Sequence, residues 1–262
     1  MADATSDEEL VQVVRVRDVV TITMNRPSRR NALSLAHLRA LQAAFDDAGR
    51  SDATGIVLAG NGPAFSSGHD LGAMAGAGLP EMRELLWTCT TLVDTMQTVP
   101  QVVVARVHAI ATAAGCQLVA AADLAVAAES ARFAAPGGKG GWFCTTPMVA
   151  IGRSVGRKQA FELALTGDEI DAATALEWGL VNRVVPDAEL DDAVAELLGR
   201  ATRGSAASRA IGKRALHAQL GMEQDAAYRY AVEVMASASQ LHDAQEGMRS
   251  FVEKRPPEWQ HR

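Results

Sequence analysis

The segment Gly60–Leu71 reads Gly-Asn-Gly-Pro-Ala-Phe-Ser-Ser-Gly-His-Asp-Leu and is the most informative part of the 262-residue sequence. It follows the apolar run Gly55–Ala59, which is typical of a buried strand. Its glycine and serine residues predict a turn, and glycine lets the backbone of a turn approach a ligand closely. We therefore expect an α/β fold in which a loop after a strand carries function.

Strand and helix signals alternate around this segment over the first 130 residues. β-branched runs predict strands, and apolar residues at helical spacing predict helices. Ser34 is expected to cap the first helix, which continues to about Arg50. The other elements predicted here are the strands Val11–Val16, Val19–Met24, Gly55–Ala59, Val102–Val107 and Leu124–Ala127 and the helices Glu81–Gln97 and Gly115–Ala122.

After Ala128 the strand signals become rare and helical spacing dominates. The loop Pro136–Gly141 (Pro-Gly-Gly-Lys-Gly-Gly) is expected to be irregular, because glycine disfavours regular elements. These patterns predict an α/β core over residues 1–200, with about ten loose residues at its start, and a helical region over residues 201–262. The helices predicted after Ala128 are Arg153–Leu165, Ala172–Trp178, Asp187–Arg203, Ser205–Leu220, Met222–Ser239 and His242–Val252.

Composition excludes several classes of protein. The net charge of -6 does not indicate the basic surface that binding to nucleic acid requires. The longest uncharged stretch, Val107–Ala122, is too short and too polar to span a membrane. The three cysteines form no CxxC pair, and the acidic N-terminal sequence resembles no targeting peptide. We therefore expect a cytoplasmic protein with reduced thiols that binds neither nucleic acid nor membrane.

Several common catalytic motifs are absent. Phe65 occupies the third glycine position of the dinucleotide fingerprint, so a Rossmann site is not expected. The six histidines lack the spacing of a metal site, and no serine lies in a Gly-x-Ser-x-Gly motif. The sequence therefore predicts neither a nucleotide cofactor nor a resident metal.

Seven segments, in a fixed order from about Val11 to Arg255, together resemble the enoyl-CoA hydratase/isomerase (crotonase) family. The loop Phe133–Pro147 resembles one branch of that family in particular. The segments are Asn25–Leu33, Phe65–Leu71, Ala113–Asp123, Arg132–Gly137, Leu165–Asp168, Ala175–Val181 and Phe251–Arg255.

The resemblance implies a crotonase-like α/β fold, a spiral of ββα turns with a C-terminal helical trimerisation region. Members of the family usually form a trimer or a dimer of trimers. The implied substrate is an acyl-CoA thioester, with no cofactor other than the coenzyme A of the substrate. The implied activity is that of an enoyl-CoA hydratase, a lyase of fatty acid metabolism.

The resemblance also implies an oxyanion hole, in which two backbone N–H groups hold the thioester carbonyl. The first falls on His69, directly after Gly68, and the second on Ala114 at the start of a helix. The residues agree with this assignment, because glycine permits close approach and a helix N-terminus carries partial positive charge.

The same resemblance assigns the coenzyme A contacts and the acyl pocket. Arginine suits phosphate because it binds anions bidentately, and the alternative is that these arginines form an ordinary solvated surface. Phe251 and Lys254 would come from the C-terminal helices, of the same or a neighbouring subunit. The implied contacts are Arg26, Arg29, Arg30, Ala32, Ser67, His69, Asp70, Leu71, Phe251 and Lys254 for coenzyme A, and Trp142 and Cys144 for the acyl group.

The chain departs from the hydratase pattern at both acid/base positions. Where the family carries two glutamates, this sequence has Gln117 and Gly137, neither of which titrates. His69 is the strongest replacement, because its imidazole titrates near neutrality beside an oxyanion donor. Replacing Gln117 and Gly137 together with glutamate is expected to create hydratase activity.

Two hypotheses therefore remain open. In the first, the protein is an enzyme on acyl-CoA thioesters that uses an oxyanion hole without the paired glutamates, with residual hydratase or isomerase activity or with thioester hydrolysis. In that case Gln117 and His69 would position the water. In the second, it is a non-catalytic acyl-CoA binder.

Overall fold

The computed structural model describes residues 9–262. The strands of this part are β1 Val11–Val16, β2 Val19–Met24, β3 Gly55–Gly60, β4 Ala64–Ser66, β5 Val102–Val107, β6 Ile110–Thr112, β7 Leu124–Ala128, β8 Arg132–Ala134, β9 Ile170–Asp171 and β10 Arg183–Val185. The α-helices are α1 Leu35–Arg50, α2 Leu71–Met74, α3 Leu79–Thr98, α4 Ala114–Ala121, α5 Pro147–Ser154, α6 Arg157–Thr166, α7 Ala172–Glu177, α8 Leu190–Ala201, α9 Ala206–Gln219, α10 Gln224–Ala238 and α11 His242–Glu253.

The strands form two sheets. The larger has the order β1-β2-β3-β5-β7-β10, and the smaller has the order β4-β6-β8-β9. All neighbours are parallel except the hairpin β1–β2 and the pair β8–β9. In the pairs β3/β4, β5/β6 and β7/β8, the first strand joins the larger sheet and the second joins the smaller. The chain therefore advances as a spiral of ββα turns, as the resemblance implied.

The larger sheet is covered on both faces, which explains the uninterrupted apolar run of β3. Ile56 and Leu58 point into the main hydrophobic core, whereas Val57 belongs to a second cluster beneath α8. Successive strand residues point to opposite faces, so a strand buried on both faces must be apolar throughout. This central strand holds the start of the Gly60–Leu71 segment in place.

Most elements of the first half have the predicted positions. β1, β2 and β5 have the predicted bounds, and Ser34 caps α1 by accepting a hydrogen bond from the His37 N–H. The prediction of one helix over Arg153–Leu165 is wrong. The region contains parts of two helices, because the extended backbone of Gly156 separates α5 from α6. The sequence analysis also missed β4, β6, β8, β9 and β10, which are too short to show a period of their own.

The C-terminal part is helical from Ala206, where α9 begins. None of the helices in residues 9–262 combines the length and the apolar character needed to span a bilayer. Part of the stretch predicted to be loose, residues 1–8, lies outside the described residues, and the remainder leads into β1. The domain boundary near residue 200 stays a prediction.

Candidate active site

A cavity of about 740 Å³ opens where the loop after β4 meets the N-terminus of α4 and the glycine-rich loop after β8. This volume is in the range of small-molecule sites. Its walls are mostly apolar, and they are formed by Ser67, His69, Leu71, Leu86, Thr112, Ala113, Pro136, Gly137, Lys139, Gly140, Trp142, Phe143, Cys144, Thr145, Thr146 and Pro147.

The backbone N–H of His69 is free on the cavity side. Leu33 donates to the Gly68 carbonyl at 2.8 Å, and the Asp70 N–H donates back to Leu33 at 3.2 Å. This parallel bridge uses the groups on either side of His69 and turns the His69 N–H away from Leu33. No backbone acceptor within residues 9–262 pairs with it.

A second free N–H belongs to Ala114, the first residue of α4. The first N–H groups of a helix have no partner within the helix. The preceding residue, Ala113, has a φ of +49°, a conformation that costs a non-glycine residue energy and is often found at functional sites. A Cβ on Gly68 would lie 2.9 Å from Ala113 Cβ and 3.2 Å from the Ala114 nitrogen. Glycine at 68 therefore allows the two N–H groups to come together.

The imidazole of His69 lies in the cavity wall and is only 8% exposed. Neither of its nitrogens has a hydrogen-bond partner among the described residues. Its ring meets Trp142 with 6.5 Å between the centroids and an angle of 48° between the planes. Burial lowers the pKa of His69, and a weaker opposing effect comes from the Leu33 carbonyl. The ring is therefore neutral at pH 7 and carries one donor and one acceptor nitrogen.

The opposite wall is the loop Pro136–Pro147. Trp142 and Phe143 line the cavity from this loop while remaining partly exposed. The Cys144 thiol is buried beside them, and burial raises its pKa. Cys89 and Cys116 lie deeper, where burial raises the pKa of each thiol to about 12. All three sulfurs are therefore protonated and unreactive at neutral pH.

A profile of the family described as Enoyl-CoA hydratase/isomerase matches residues 15–262. The chain belongs to this family. The rat protein named enoyl-CoA hydratase domain-containing protein 3, mitochondrial, is 39% identical over 98% of this chain and 86% of its own length. A crystal structure of an enoyl-CoA hydratase from Mycobacterium smegmatis is 44% identical, with a TM-score of 0.93 over 96% of this chain and 99% of that one. The human domain-containing protein 3 structure is 37% identical, with a TM-score of 0.91 over 95% and 100%.

These matches confirm the crotonase fold and the branch that the loop Phe133–Pro147 indicated. They also correct one prediction, the cytoplasmic location. The rat, mouse and human relatives are named mitochondrial, so their names point to mitochondria instead. The free thiols on which the prediction relied are typical of a reducing compartment, but they do not distinguish one reducing compartment from another.

In this hydratase/isomerase family member, Gln117 and Gly137, the residues predicted at the two glutamate positions, have different surroundings. Gln117 is buried behind the cavity wall, with its Oε1 4.0 Å from the Cys89 sulfur, and it is not a lining residue. Gly137 lines the cavity, but a Cβ there would lie 2.7 Å from Cys144 Sγ and would also collide with the Trp142 carbonyl. A glutamate at 137 would therefore require the chain from Trp142 to Cys144 to shift, and the hydratase activity expected of the double replacement stays a prediction.

Only some of the predicted coenzyme A contacts line the cavity. Ser67, His69 and Leu71 line the cavity. Arg26 is held inside, where its guanidinium pairs with Asp70 at 3.1 Å and donates to the Ala32 carbonyl at 2.6 Å. Asp70 also caps α2 by accepting from the Ala73 N–H. These contacts anchor the loop, so Arg26, Ala32 and Asp70 act as its supports in this structure.

The remaining predicted contacts are not lining residues of the cavity. Arg29 and Arg30 are exposed at the 3₁₀ turn Pro27–Arg29. Phe251, which is 85% exposed, and Lys254 lie at the C-terminal end of α11. Their roles toward coenzyme A stay predictions.

The sequence analysis did not name several residues that line the cavity, among them Leu86, Thr112, Ala113 and Lys139. Leu86 reaches it from α3, Thr112 and Ala113 precede α4, and Lys139 lies in the glycine-rich loop, where it forms an ion pair with Asp168. The apolar spacing of the helix Glu81–Gln97 was a signal for Leu86, but it did not say which face meets a ligand. No aspartate or glutamate lines the cavity, and residues 9–262 contain no metal-like cluster of His, Cys, Asp and Glu.

Proposed function

We propose that the protein is an enzyme that acts on acyl-CoA thioesters and stabilises a carbonyl oxyanion with the N–H groups of His69 and Ala114. The observation that supports this most strongly is that two backbone N–H groups without a backbone acceptor, one on the cavity-lining His69 and one directly after the cavity-lining Ala113, lie where Gly68 packs closely against Ala113 and Ala114. Membership in the enoyl-CoA hydratase/isomerase family supports the thioester as substrate and a place in fatty acid metabolism.

The two donors would act where negative charge develops. Backbone N–H groups fixed in a largely apolar wall need no reorganisation during the reaction, and removing one such donor typically slows a reaction by about 10²–10³-fold. Trp142, Phe143 and Leu86 would hold the acyl group by apolar contact. The reaction would use no cofactor apart from the coenzyme A of the substrate.

Calorimetry with carbonyl-bearing and carbonyl-free ligands tests this proposal. An acyl-CoA thioester and a ketone analogue are expected to bind at least about tenfold more tightly than the S-alkyl coenzyme A thioether of equal chain length, because only they present an oxygen to the two N–H groups. Equal affinity for all three would contradict the oxyanion hole. Failure of every coenzyme A compound to bind would contradict the substrate class.

A non-catalytic acyl-CoA binder is the second candidate, and the lack of a carboxylate in the cavity wall favours it. Both candidates predict binding, so turnover distinguishes them. Complete stability of saturated and unsaturated acyl-CoAs in the presence of protein that binds them would favour the binder.

We also propose that the chain assembles as a homotrimer or a hexamer through α9–α11. Large apolar side chains that a lone protomer leaves exposed support this assembly, and they include Leu216, Leu220, Tyr228, Val232, Met235, Phe251 and Val252. Patches of this kind usually mark interaction surfaces. Light scattering of the purified protein should give a mass of three or six chains, and a monomer at micromolar concentration would contradict the assembly.

A further inference from the structure

We propose that the His69 imidazole is the proton-transferring group of this site and that the reaction it supports is hydrolysis of the acyl-CoA thioester by water. This inference rests on the proposed function, because it takes the oxyanion hole as the place where the thioester carbonyl binds. It adds a side chain and a reaction to the two backbone donors.

The position of the ring supports a direct role. In the proposed oxyanion hole His69 supplies the first N–H, so its imidazole belongs to the same residue as one of the two donors to the carbonyl oxygen. His69 is more than nine-tenths buried, forms part of the cavity wall, and has no hydrogen bond from either ring nitrogen to residues 9–262. Buried polar atoms nearly always have partners, so a bound water or ligand atom is the expected partner here.

The other titratable groups at the cavity are unsuitable for proton transfer. Lys139 is engaged with Asp168, and burial raises the pKa of the Cys144 thiol. Asp70, next to His69 in sequence, is paired with Arg26. Burial keeps His69 neutral at pH 7, which is the form that accepts a proton.

A single acid/base group suits hydrolysis better than hydration. Hydration adds hydroxide to one carbon and a proton to its neighbour, for which the family pattern uses two carboxylates. In hydrolysis, one His69 nitrogen takes a proton from water while the water oxygen forms a bond to the thioester carbon. The carbonyl electron pair moves to the oxygen held by the His69 and Ala114 N–H groups.

The tetrahedral intermediate then collapses to the products. The oxyanion pair re-forms the carbonyl, the carbon–sulfur bond breaks, and the coenzyme A sulfur takes the proton back from the imidazolium of His69. The products are a carboxylic acid, which ionises in solution, and free coenzyme A. The imidazole returns to its neutral form, so no further reactant is needed.

The test uses the full-length protein and octanoyl-CoA, a saturated thioester that can be neither hydrated nor isomerised. Loss of the thioester and release of octanoate are followed by absorbance and by chromatography. We expect catalytic turnover whose kcat falls by about 10²–10⁴-fold in His69→Gln and in His69→Asn, because general acid/base catalysis contributes about that factor. Both variants keep the backbone N–H, so the Kd for octanoyl-CoA should change by less than about fivefold.

The pH profile separates proton transfer from a packing role. The value of kcat/KM should rise with pH and level off above an apparent pKa that lies below the ordinary histidine value of about 6.5. This rise should disappear from the residual activity of His69→Gln. The matched control is His242→Gln, since His242 lies on α11 outside the cavity and pairs with Asp243.

Each outcome decides between the claims. Turnover that depends on His69 supports hydrolysis. Octanoyl-CoA that binds but stays intact, or turnover unchanged in both His69 variants with binding retained, overturns the inference and leaves the proposed function standing. A His69-dependent shift of the double bond in 3-octenoyl-CoA, without hydrolysis of either compound, also overturns it. If no acyl-CoA binds, the proposed function itself fails.

Discussion

Single residues decide the chemistry of this site more than its composition does. Gly68 lets the two backbone donors meet, and Gly137 leaves room for the chain from Trp142 to Cys144. The backbone N–H of Trp142 donates to the Gly137 carbonyl at 2.9 Å, and this hydrogen bond closes the loop onto the glycine. Gly137 is therefore required by the packing of this loop, and it also supplies no acid/base group.

Gly137→Ala is expected to destabilise the protein, although it adds only one methyl group. The new Cβ would overlap Cys144 Sγ and the Trp142 carbonyl, and overpacking of this kind costs about 1–3 kcal/mol. Gly140→Ala in the same loop is the control, because its Cβ would meet its nearest neighbour at 3.6 Å. Urea unfolding should show a loss for Gly137→Ala only. Equal stability of the two variants would contradict the close fit at 137.

His37 is expected to make the protein less stable in mild acid. Its pKa is lowered to about 4, chiefly by burial, while the unfolded value is about 6.5. Between these values the unfolded chain binds a proton that the folded chain does not. The free energy of unfolding should therefore fall by up to about 3 kcal/mol as the pH drops from 6.5 to 4.

Unfolding measured across this pH range in the wild type and in His37→Gln checks the effect. Glutamine does not titrate and retains a donor for the Ala32 carbonyl, which accepts from His37 Nδ1 at 3.1 Å if that nitrogen carries the proton. The variant should lose less stability on acidification. Parallel curves for the wild type and His37→Gln would exclude His37 as the cause.

At the scale of elements, the N-terminus of α4, which holds the proposed second oxyanion donor, is positioned by its close contact with β4. Gly115 lies against Ser66, and a Cβ there would come within 2.8 Å of Ser66 Cβ and would also strike the Ser66 carbonyl. This contact sets the position of the Ala114 N–H relative to the loop that contains His69. The apolar residues of α4 then fix the helix in the core, where Cys116 and Leu118 are fully buried.

Gly115→Ala should therefore reduce both stability and turnover. We expect a loss of about 1–3 kcal/mol from overpacking and a fall in kcat of about 10²-fold as the Ala114 donor moves. Gly152→Ala on α5 is the matched control, because its Cβ has 4.0 Å of clearance and alanine favours a helix by about 1 kcal/mol. That variant should be at least as stable as the wild type. Unchanged kcat in Gly115→Ala would contradict this role of α4.

At the scale of the whole molecule, a buried cation joins the C-terminal helices to the core. Lys213 of α9 donates to the carbonyls of Met96 and Gln101 at 2.8 Å each and pairs with Asp123 at 2.7 Å. Asp123 also accepts from the Val103 N–H and lies 3.2 Å from His217 Nε2. One ammonium group therefore connects α9 to the end of α3 and the starts of β5 and β7.

Lys213→Met is expected to lower the free energy of unfolding by about 3 kcal/mol, because it keeps the side-chain length but leaves Asp123 and two carbonyls without their cation. It should also weaken any assembly built on α9–α11. Lys158→Met, at an exposed lysine of α6, provides the same change without the buried contacts. Thermal unfolding and light scattering of both variants check the difference. If Lys213→Met is as stable as the wild type and its assembly has the same mass, then α9 is held by apolar contacts alone.

The strands of the larger sheet and the capped first helix were predictable, because their signals lie within a few residues of sequence. β-branched runs and the Ser34 cap act locally, and the same holds for the glycine-rich turns. The short strands of the smaller sheet were not predictable in this way, since two or three residues carry no period. Gln117 shows the same limit at the site, because only packing decides that it points toward Cys89 and away from the cavity.

The sequence by itself determined the α/β architecture, the family resemblance and the absence of a carboxylate at positions 117 and 137, since each depends on residue types in a fixed order. Only the tertiary structure decided that Arg26 is held by Asp70, that the loop with Trp142 closes on Gly137, and that His69 presents both a free N–H and an unpartnered ring to one cavity. These features depend on contacts between segments far apart in the chain, and local pattern carries no information about such contacts until the fold brings them within bonding distance.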